Sequence, residues 1–481
     1  MQPDARNHAM GTDLASAQLQ ADELLLLPEY VLLRDGIQRD MAVVVGNGRF
    51  VDVGPAAQVV ERHPNLRATR MPGKLLMPGL IDAHHHLTQS FGKALAFGEP
   101  SEIFRRIWVP LERSLDDELV HLTAKLAALE SLRGGFTTVC DAGTRAPGSL
   151  DAIASATGAA GLRCVLGLIC NDIDASEAER ANILERARTH LARWNAASLI
   201  HPSLAISIPE VATDAMLRST ATLCAEAGAV FQTHINEHLA AIERSLIARG
   251  KRPLELLHAV GALGPQTLVA HATMVTPFEL NVLRETDTAV SYNPVASQWK
   301  GNAVAPATQM AALGIRFGLG TDATRSDGFR LMDAAEAAQK IAFALDIGDA
   351  STGAGWMWLD HATWRGADAV GLGAVTGEVA AGKAADFLIV DVDIPEMQPS
   401  FDLAWELVRF GNRDQIVAVV VAGRLRLWRG WPLDWNARAL LDDVARTART
   451  LVEKAPIQKI HASSAAHRAD IAARGWARAL G

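Results

Sequence analysis

The sequence predicts an α/β protein, a (β/α)8 TIM barrel joined to a small composite β-sandwich domain built from both chain ends. Three observations point there. From about Leu75 to Leu372 short apolar strands alternate with Ala-rich amphipathic segments roughly eight times, which implies a parallel sheet long enough to close on itself. Both flanks have another texture, with strand-like runs broken by Gly and Asn at turn positions. Finally, 481 residues exceed one simple core and favour a large domain with a smaller companion.

Taken in order, the polar first twenty or so residues read as a loose tail without the apolar stretch of a secretory signal. LLLLPEYVLLRDG and MAVVVGNGRFVDVG follow as strands, so residues 1–74 are assigned to the N-terminal part of the sandwich. The barrel is assigned to 75–378. Its strands include TTVCDAG, LRCVLGLIC, SLAISI, AVFQTHI, TLVAHAT, TAVSYNP and IRFGLGTDA, with helices such as ELVHLTAKLAALESLRGG between them. ADFLIVDVD and IVAVVVAGRLRLWRG complete the sandwich over 379–435, and 436–481, rich in Ala and Arg, reads as a tail of solvent-exposed helices. An open doubly wound sheet is the alternative, weakened because no GxGxxG follows the first strand.

Composition narrows the function classes. The chain is 49% hydrophobic and 21% charged, ordinary for a globular protein. A net charge of −8 with no basic stripe argues against nucleic acid as a partner. The four cysteines, Cys140, Cys164, Cys170 and Cys224, form no CxxC pair and read as buried free thiols of a reducing compartment. Apolar runs such as Val417 to Ala422 are too short to span a bilayer. The expectation is a soluble cytoplasmic protein that acts on a small molecule.

Chemistry-bearing residues gather at strand ends. In MPGLIDAHHHLTQS, His84 and His86 are two apart on a predicted strand, so both project to one side and could hold a metal ion, while His85 points away. AVFQTHINEH puts His234 at a strand end and Glu237 three residues later. LVAHATMVT ends a strand on His271, and IRFGLGTDATRSDG places Asp322 after LGT. Each alone is also consistent with an ordinary buried polar residue. Together they fall on the face where barrel enzymes build their sites and favour a metal centre.

The ordered set HxH, HxxE, His and Asp resembles the amidohydrolase superfamily, in particular its branch of cytosine deaminases, guanine deaminases and triazine (chloro)hydrolases. The likeness runs from about residue 24 to 435 and includes GEVAAGKAADFLIVD and VVVAGRLRLWRG. It implies that His84, His86, His234 and Asp322 bind one divalent metal ion, Zn first and Fe as the alternative. Dinuclear members bridge their ions through a lysine near the end of strand four, and SLAISIPE has none. The resemblance also implies that metal-bound hydroxide hydrolyses a C–N bond of a small N-heterocyclic substrate, by deamination or dealkylamination. Asp322 would accept the water's proton, Glu237 would protonate a ring nitrogen, and His271 would orient the nucleophile or stabilise developing charge.

Six further residues are candidate substrate contacts: Gln89, Trp108, Ser207, Ser297, Trp299 and Asp327. Departures limit the transfer of a substrate. Many deaminases of the branch have a substrate-binding His after strand four, where this chain has Ser207, and strand seven reads SYNPVAS where relatives often have a His before NP. Halide displacement from a heteroaromatic ring is the alternative activity, and a noncatalytic binding protein the second. Retention of Glu237 favours C–N cleavage, since an amine leaves poorly unless protonated. A nucleic-acid-editing deaminase would need an HxE…PCxxC signature, which is missing. A homo-oligomer, a dimer first, is compatible with the resemblance.

Overall fold

The computed structural model describes residues 14–97, 99, 103–195, 198–347, 355–460 and 463–474. Most of the N-terminal tail lies outside them. Order nevertheless begins before the first strand, because Ser16–Leu19 forms a helical turn whose Leu19 is fully buried.

The small domain is one mixed sheet drawn from both ends of the chain. Its N-terminal strands are β1 (Glu23–Leu33), β2 (Gly36–Arg39), β3 (Met41–Gly46), β4 (Arg49–Pro55) and β5 (Ala68–Pro78). Numbering past the barrel strands, its C-terminal ones are β14 (Phe387–Asp391), β15 (Ile416–Val421) and β16 (Arg424–Trp428). The order is β16-β15-β14-β5-β1-β3-β4, with β2 paired to β1. β5 lies at the seam, parallel to β1 and antiparallel to β14, with Pro78 opposite Phe387. Val43, Val45, Phe50, Met71, Leu76, Phe387 and Ile389 fill one apolar cluster there, as expected for strands that bury β-branched and aromatic side chains.

Only Gly79 separates β5 from the first barrel strand. The barrel comprises β6 (Leu80–His85), β7 (Phe136–Asp141), β8 (Arg163–Ile169), β9 (Ile200–Ile206), β10 (Val230–Ile235), β11 (Thr267–His271), β12 (Ala289–Tyr292) and β13 (Phe317–Leu319). All seven neighbouring pairs are parallel and follow chain order. The circle closes between β13 and β6 through side chains as well as backbone. Asp82 accepts from the Thr321 amide (2.9 Å) and hydroxyl (2.6 Å), and the Asp322 amide donates to the His84 carbonyl (2.9 Å). The opposite end is sealed by Ala367, Val370 and Leu372, packed on Ile81, Val230, Leu268 and Ala289 near the starts of their strands.

Arg163 ties barrel to sheet. Its Nε and Nη2 donate to the two carboxylate oxygens of Asp386 at 2.8 and 3.1 Å, and both side chains are almost fully buried. Against the expectation of solvent-exposed helices over 436–481, the helix Ala437–Lys454 buries Ala437, Leu440 and Leu451 where it packs on the barrel helix Asp117–Arg133. The last described helix, Ser464–Arg474, buries none of its residues. The four cysteines are free and buried, and no helix among the described residues is long and apolar enough to cross a membrane.

Candidate active site

The strand ends place four ligand-type side chains around one point. His84 comes from β6 and His86 follows it, His234 stands on β10, and Asp322 follows β13. Their ligand atoms all lie within 4.8 Å of one another. Asp322 Oδ1 is 3.5 Å from His84 Nε2 and 3.4 Å from His86 Nε2, and the Nε2 atoms of His86 and His234 are 3.3 Å apart.

Hydrogen bonding fixes the tautomer of His234. The Nδ1–H of His234 donates to the Ser207 carbonyl at 2.7 Å, so its Nε2 keeps a lone pair directed inward. Among the described residues, the buried His84 Nε2 has no hydrogen-bond partner. Burial pushes His84 down to about 4 and, with the neighbouring imidazoles, holds His234 well below the usual range, so both rings are neutral. Inward lone pairs of neutral imidazoles beside a carboxylate oxygen form the donor set of a divalent transition ion. The residues therefore fit a metal centre.

A second constellation adjoins the first. Glu237, His271 and Asp322 bring one ligand-type atom each within 4.8 Å. The Asn293 amide donates to His271 Nδ1 at 3.2 Å, and Asn293 itself accepts from Ser291 Oγ at 2.8 Å. His271 therefore carries its proton on Nε2, 3.8 Å from Glu237 Oε2. Lys300 completes the group, with Nζ 2.8 Å from Glu237 Oε1 and 2.6 Å from Asp322 Oδ2. Burial would raise both carboxyls, but His271 and Lys300 outweigh it at Glu237, and Lys300 with His84 and His86 does so at Asp322. Both are held well below the ordinary carboxylate range.

The backbone bends sharply to present these groups. Asn236, His271, Ala272, Asp322 and Ala323 all have positive φ, between 47° and 75°. Non-glycine residues in this left-handed region cost energy and cluster at functional sites. Gly320 is needed for another reason. A Cβ there would lie 2.2 Å from Asn293 Oδ1, 2.4 Å from Ser291 Oγ and 2.9 Å from His84 Cβ.

The site opens into a cavity of about 500 Å³. Gln89, Trp108, Ser207 and Trp299 line it, together with His86, His234, Glu237, His271 and Asp322. Two expected contacts do not. Ser297 is buried in the helix Pro294–Lys300, away from the cavity lining, with its amide bonded to the Asn293 carbonyl. Asp327 caps the helix Gly328–Ile347, accepting from the Arg330 amide at 3.2 Å. His85 faces Ser326 Oγ at 3.3 Å. Sequence reading missed Lys300, which directly follows Trp299, and Arg145, just past the end of β7. A long cation beside a candidate aromatic wall was the available signal for Lys300; nothing in GTRAPGS marked Arg145.

Comparisons with known proteins agree with this architecture. The chain is 28% identical over 438 residues to the 5-methylthioadenosine/S-adenosylhomocysteine deaminase of Syntrophobacter fumaroxidans, covering 89% of this chain and 98% of the relative. It is also 28% identical to the 5'-deoxyadenosine deaminase of Methanothermobacter thermautotrophicus, covering 85% and 94%. An adenosine deaminase from Xanthomonas campestris, solved with bound zinc, superposes with a TM-score of 0.81 at 26% identity, covering 89% and 98%. The atrazine chlorohydrolase of Arthrobacter aurescens TC1, solved with zinc, shares the fold with a TM-score of 0.77 at 19% identity, covering 89% and 100%. The model of the amidohydrolase family matches residues 75–426, and the chain belongs to that family.

Proposed function

We propose that the chain is a hydrolytic deaminase of a substituted aminopurine, with one divalent ion, zinc before iron, held by His84, His86, His234 and Asp322. The observation that carries this is the convergence of Glu237, His271 and Asp322 beside the four-ligand centre, on the wall of a cavity of about 500 Å³. The cavity has room for more than a bare heterocyclic ring. The relatives named for deamination of adenosine-type nucleosides support a purine.

A bound ion supplies the positive charge that lets water attack near neutral pH. The protein's own groups do the rest. The attacking water carries two protons. Glu237 relays one to a ring nitrogen, which makes the neighbouring carbon electrophilic. Asp322 takes the other and passes it to the amine, which departs as ammonia and leaves an oxo-heterocycle. His271, fixed by Asn293 with its proton on Nε2, donates to the charge that develops at the attacked centre. Lys300 holds both carboxylates ionised and aimed at the same space until substrate arrives.

The test pairs metal analysis with ammonium release from adenosine, 5'-methylthioadenosine and S-adenosylhomocysteine. Wild type should hold zinc or iron and release ammonium, and His84→Ala should lose the metal. Glu237→Gln should keep it while kcat falls by about 10²–10⁴. Normal turnover by Glu237→Gln would remove Glu237 from the proton path. Chloride release from a chlorinated heterocycle, without ammonium from any amine, would replace deamination with halide displacement.

A further inference from the structure

Arg145 lies in the cavity wall, and its neighbours among the described residues leave part of its hydrogen-bonding capacity unspent. The side chain is 12% exposed and pairs with Glu112, which is fully buried, through Nη1 at 2.8 Å. Glu112 is held from behind by Thr88 Oγ1 at 2.9 Å and Gln89 Nε2 at 3.4 Å. The other arm, Nη2, donates to Ser207 Oγ at 3.2 Å. A guanidinium offers five N–H donors, and among the described residues these two bonds leave three. The Phe104 ring lies 4.4 Å from the guanidinium carbon, so that face is covered while the rest adjoins the cavity.

The position is close to the reacting centre. The Ser207 hydroxyl meets Arg145, and the carbonyl of the same residue fixes His234. Arg145 therefore lines the same cavity as His86, His234, Glu237 and Asp322 and shares Ser207 with His234, so a ring seated against the four-ligand centre adjoins its guanidinium. An arginine cannot lose its proton in proteins and can only donate. Its planar fork matches acceptor atoms on the edge of a flat ring.

We infer that Arg145 is a specificity-determining residue, which donates to an acceptor on the ring edge of the substrate and selects heterocycles bearing a nitrogen or oxo oxygen there. Glu112 is the positioning residue behind it. A purely structural counter-ion for Glu112 would be indifferent to which ring atoms the substrate carries. The inference rests on the deaminase reading above, with the purine ring as its substrate.

The test crosses a side-chain deletion with a substrate-atom deletion. kcat/KM is measured for wild type, Arg145→Met and Arg145→Lys on adenosine, 3-deazaadenosine and 7-deazaadenosine, in which a ring nitrogen becomes CH. Wild type should lose about 10–100-fold on one of the two analogues, the range for a hydrogen bond to a charged group. Arg145→Met should lose a similar factor on adenosine, mainly through KM, and then treat adenosine and that analogue alike. Arg145→Lys keeps a cation for Glu112, so the fold is retained, yet it should lose most of the discrimination because it lacks the fork. Metal content and Tm are recorded for each protein. Variants that discriminate between adenosine and both analogues as steeply as wild type would overturn the inference and leave the deaminase reading intact. A wild type that releases no ammonium from adenosine or its relatives would refute that reading and this inference with it, before Arg145 is altered.

Discussion

The Arg163–Asp386 pair ties barrel to sheet, and its energetics can be worked from the structure. Arg163 donates twice to Asp386, while its Nη1 lies 3.2 Å from His201 Nε2. Asp386 also accepts from Thr376 Oγ1 at 2.8 Å and from the Ala422 amide at 2.7 Å. Replacing Arg163 by Met keeps the stem but leaves a carboxylate buried with two neutral donors. Breaking one side of such a pair costs about 3–5 kcal/mol, chiefly from the uncompensated charge. Asp386→Ala alone strands the guanidinium in the same way. The double variant Arg163→Met/Asp386→Ala removes both charges, so its cost should fall short of the sum of the singles by about 2–3 kcal/mol. Urea unfolding followed separately by tryptophan fluorescence and far-UV circular dichroism measures this, and separate transitions would reveal uncoupling of the two domains. Metal content at low urea should match wild type, because the pair lies away from the ligand cluster. Additive costs, or an Arg163→Met variant as stable as wild type, would refute the reasoning.

Two further outcomes follow from packing and burial. Gly320→Ala forces a methyl against Asn293, Ser291 and His84, so Asn293 should shift off His271; kcat should fall at least about tenfold, as expected for overpacking of about 1–3 kcal/mol, and a variant of wild-type kcat would show that the loop gives freely. Acid should destabilise the fold in a defined window. Burial pushes His361 down to about 3 and His201 to about 4 from an ordinary 6.5, so both stay neutral in the native state while the unfolded chain protonates. Their contribution is fully present above about pH 6.5 and declines as pH falls through that value toward about 4 for His201 and about 3 for His361. Urea midpoints at pH 7.5, 6 and 5 should fall in that order, and His361→Gln should flatten the decline; an unchanged slope in that variant would remove His361 from the account.

Much of this was legible in the sequence because it follows from periodicity and strand ends. β6, β10, β11 and the turn after β13 each announce themselves as an apolar run ending on His or leading into Asp. A parallel barrel must display such termini on one face, so His84, His86, His234, His271 and Asp322 could be gathered before any coordinates. Loops follow no such rule. Asp327 stands five residues past Asp322 and looked available, but the helix that starts at Gly328 uses it as a cap. Ser297 falls on the inward side of a short helix whose phase the sequence did not fix. Lys300 and Arg145 reach the site from loops and helix ends on side chains long enough to span several positions, so spacing alone does not locate them. The face buried by Ala437–Lys454 was obscured by its abundant Ala and Arg, although Leu440 and Leu451 carry the contact.

The seam at β5 bears on how the molecule is made. β5 pairs with β1 on one side within the first 78 residues, but its other partner, β14, begins only at Phe387. A ribosome adding about 5–20 residues per second takes roughly 15–60 s to cross that interval. For all that time the β14-facing side of β5, which includes Leu75, Leu76 and Met77, has no partner strand, and an edge of that kind, once formed, recruits a neighbouring chain. The last sheet strands thus do more than finish a domain. They close a template that has stood open through synthesis of the whole barrel, and nascent chains truncated before Phe387 should be the aggregation-prone species.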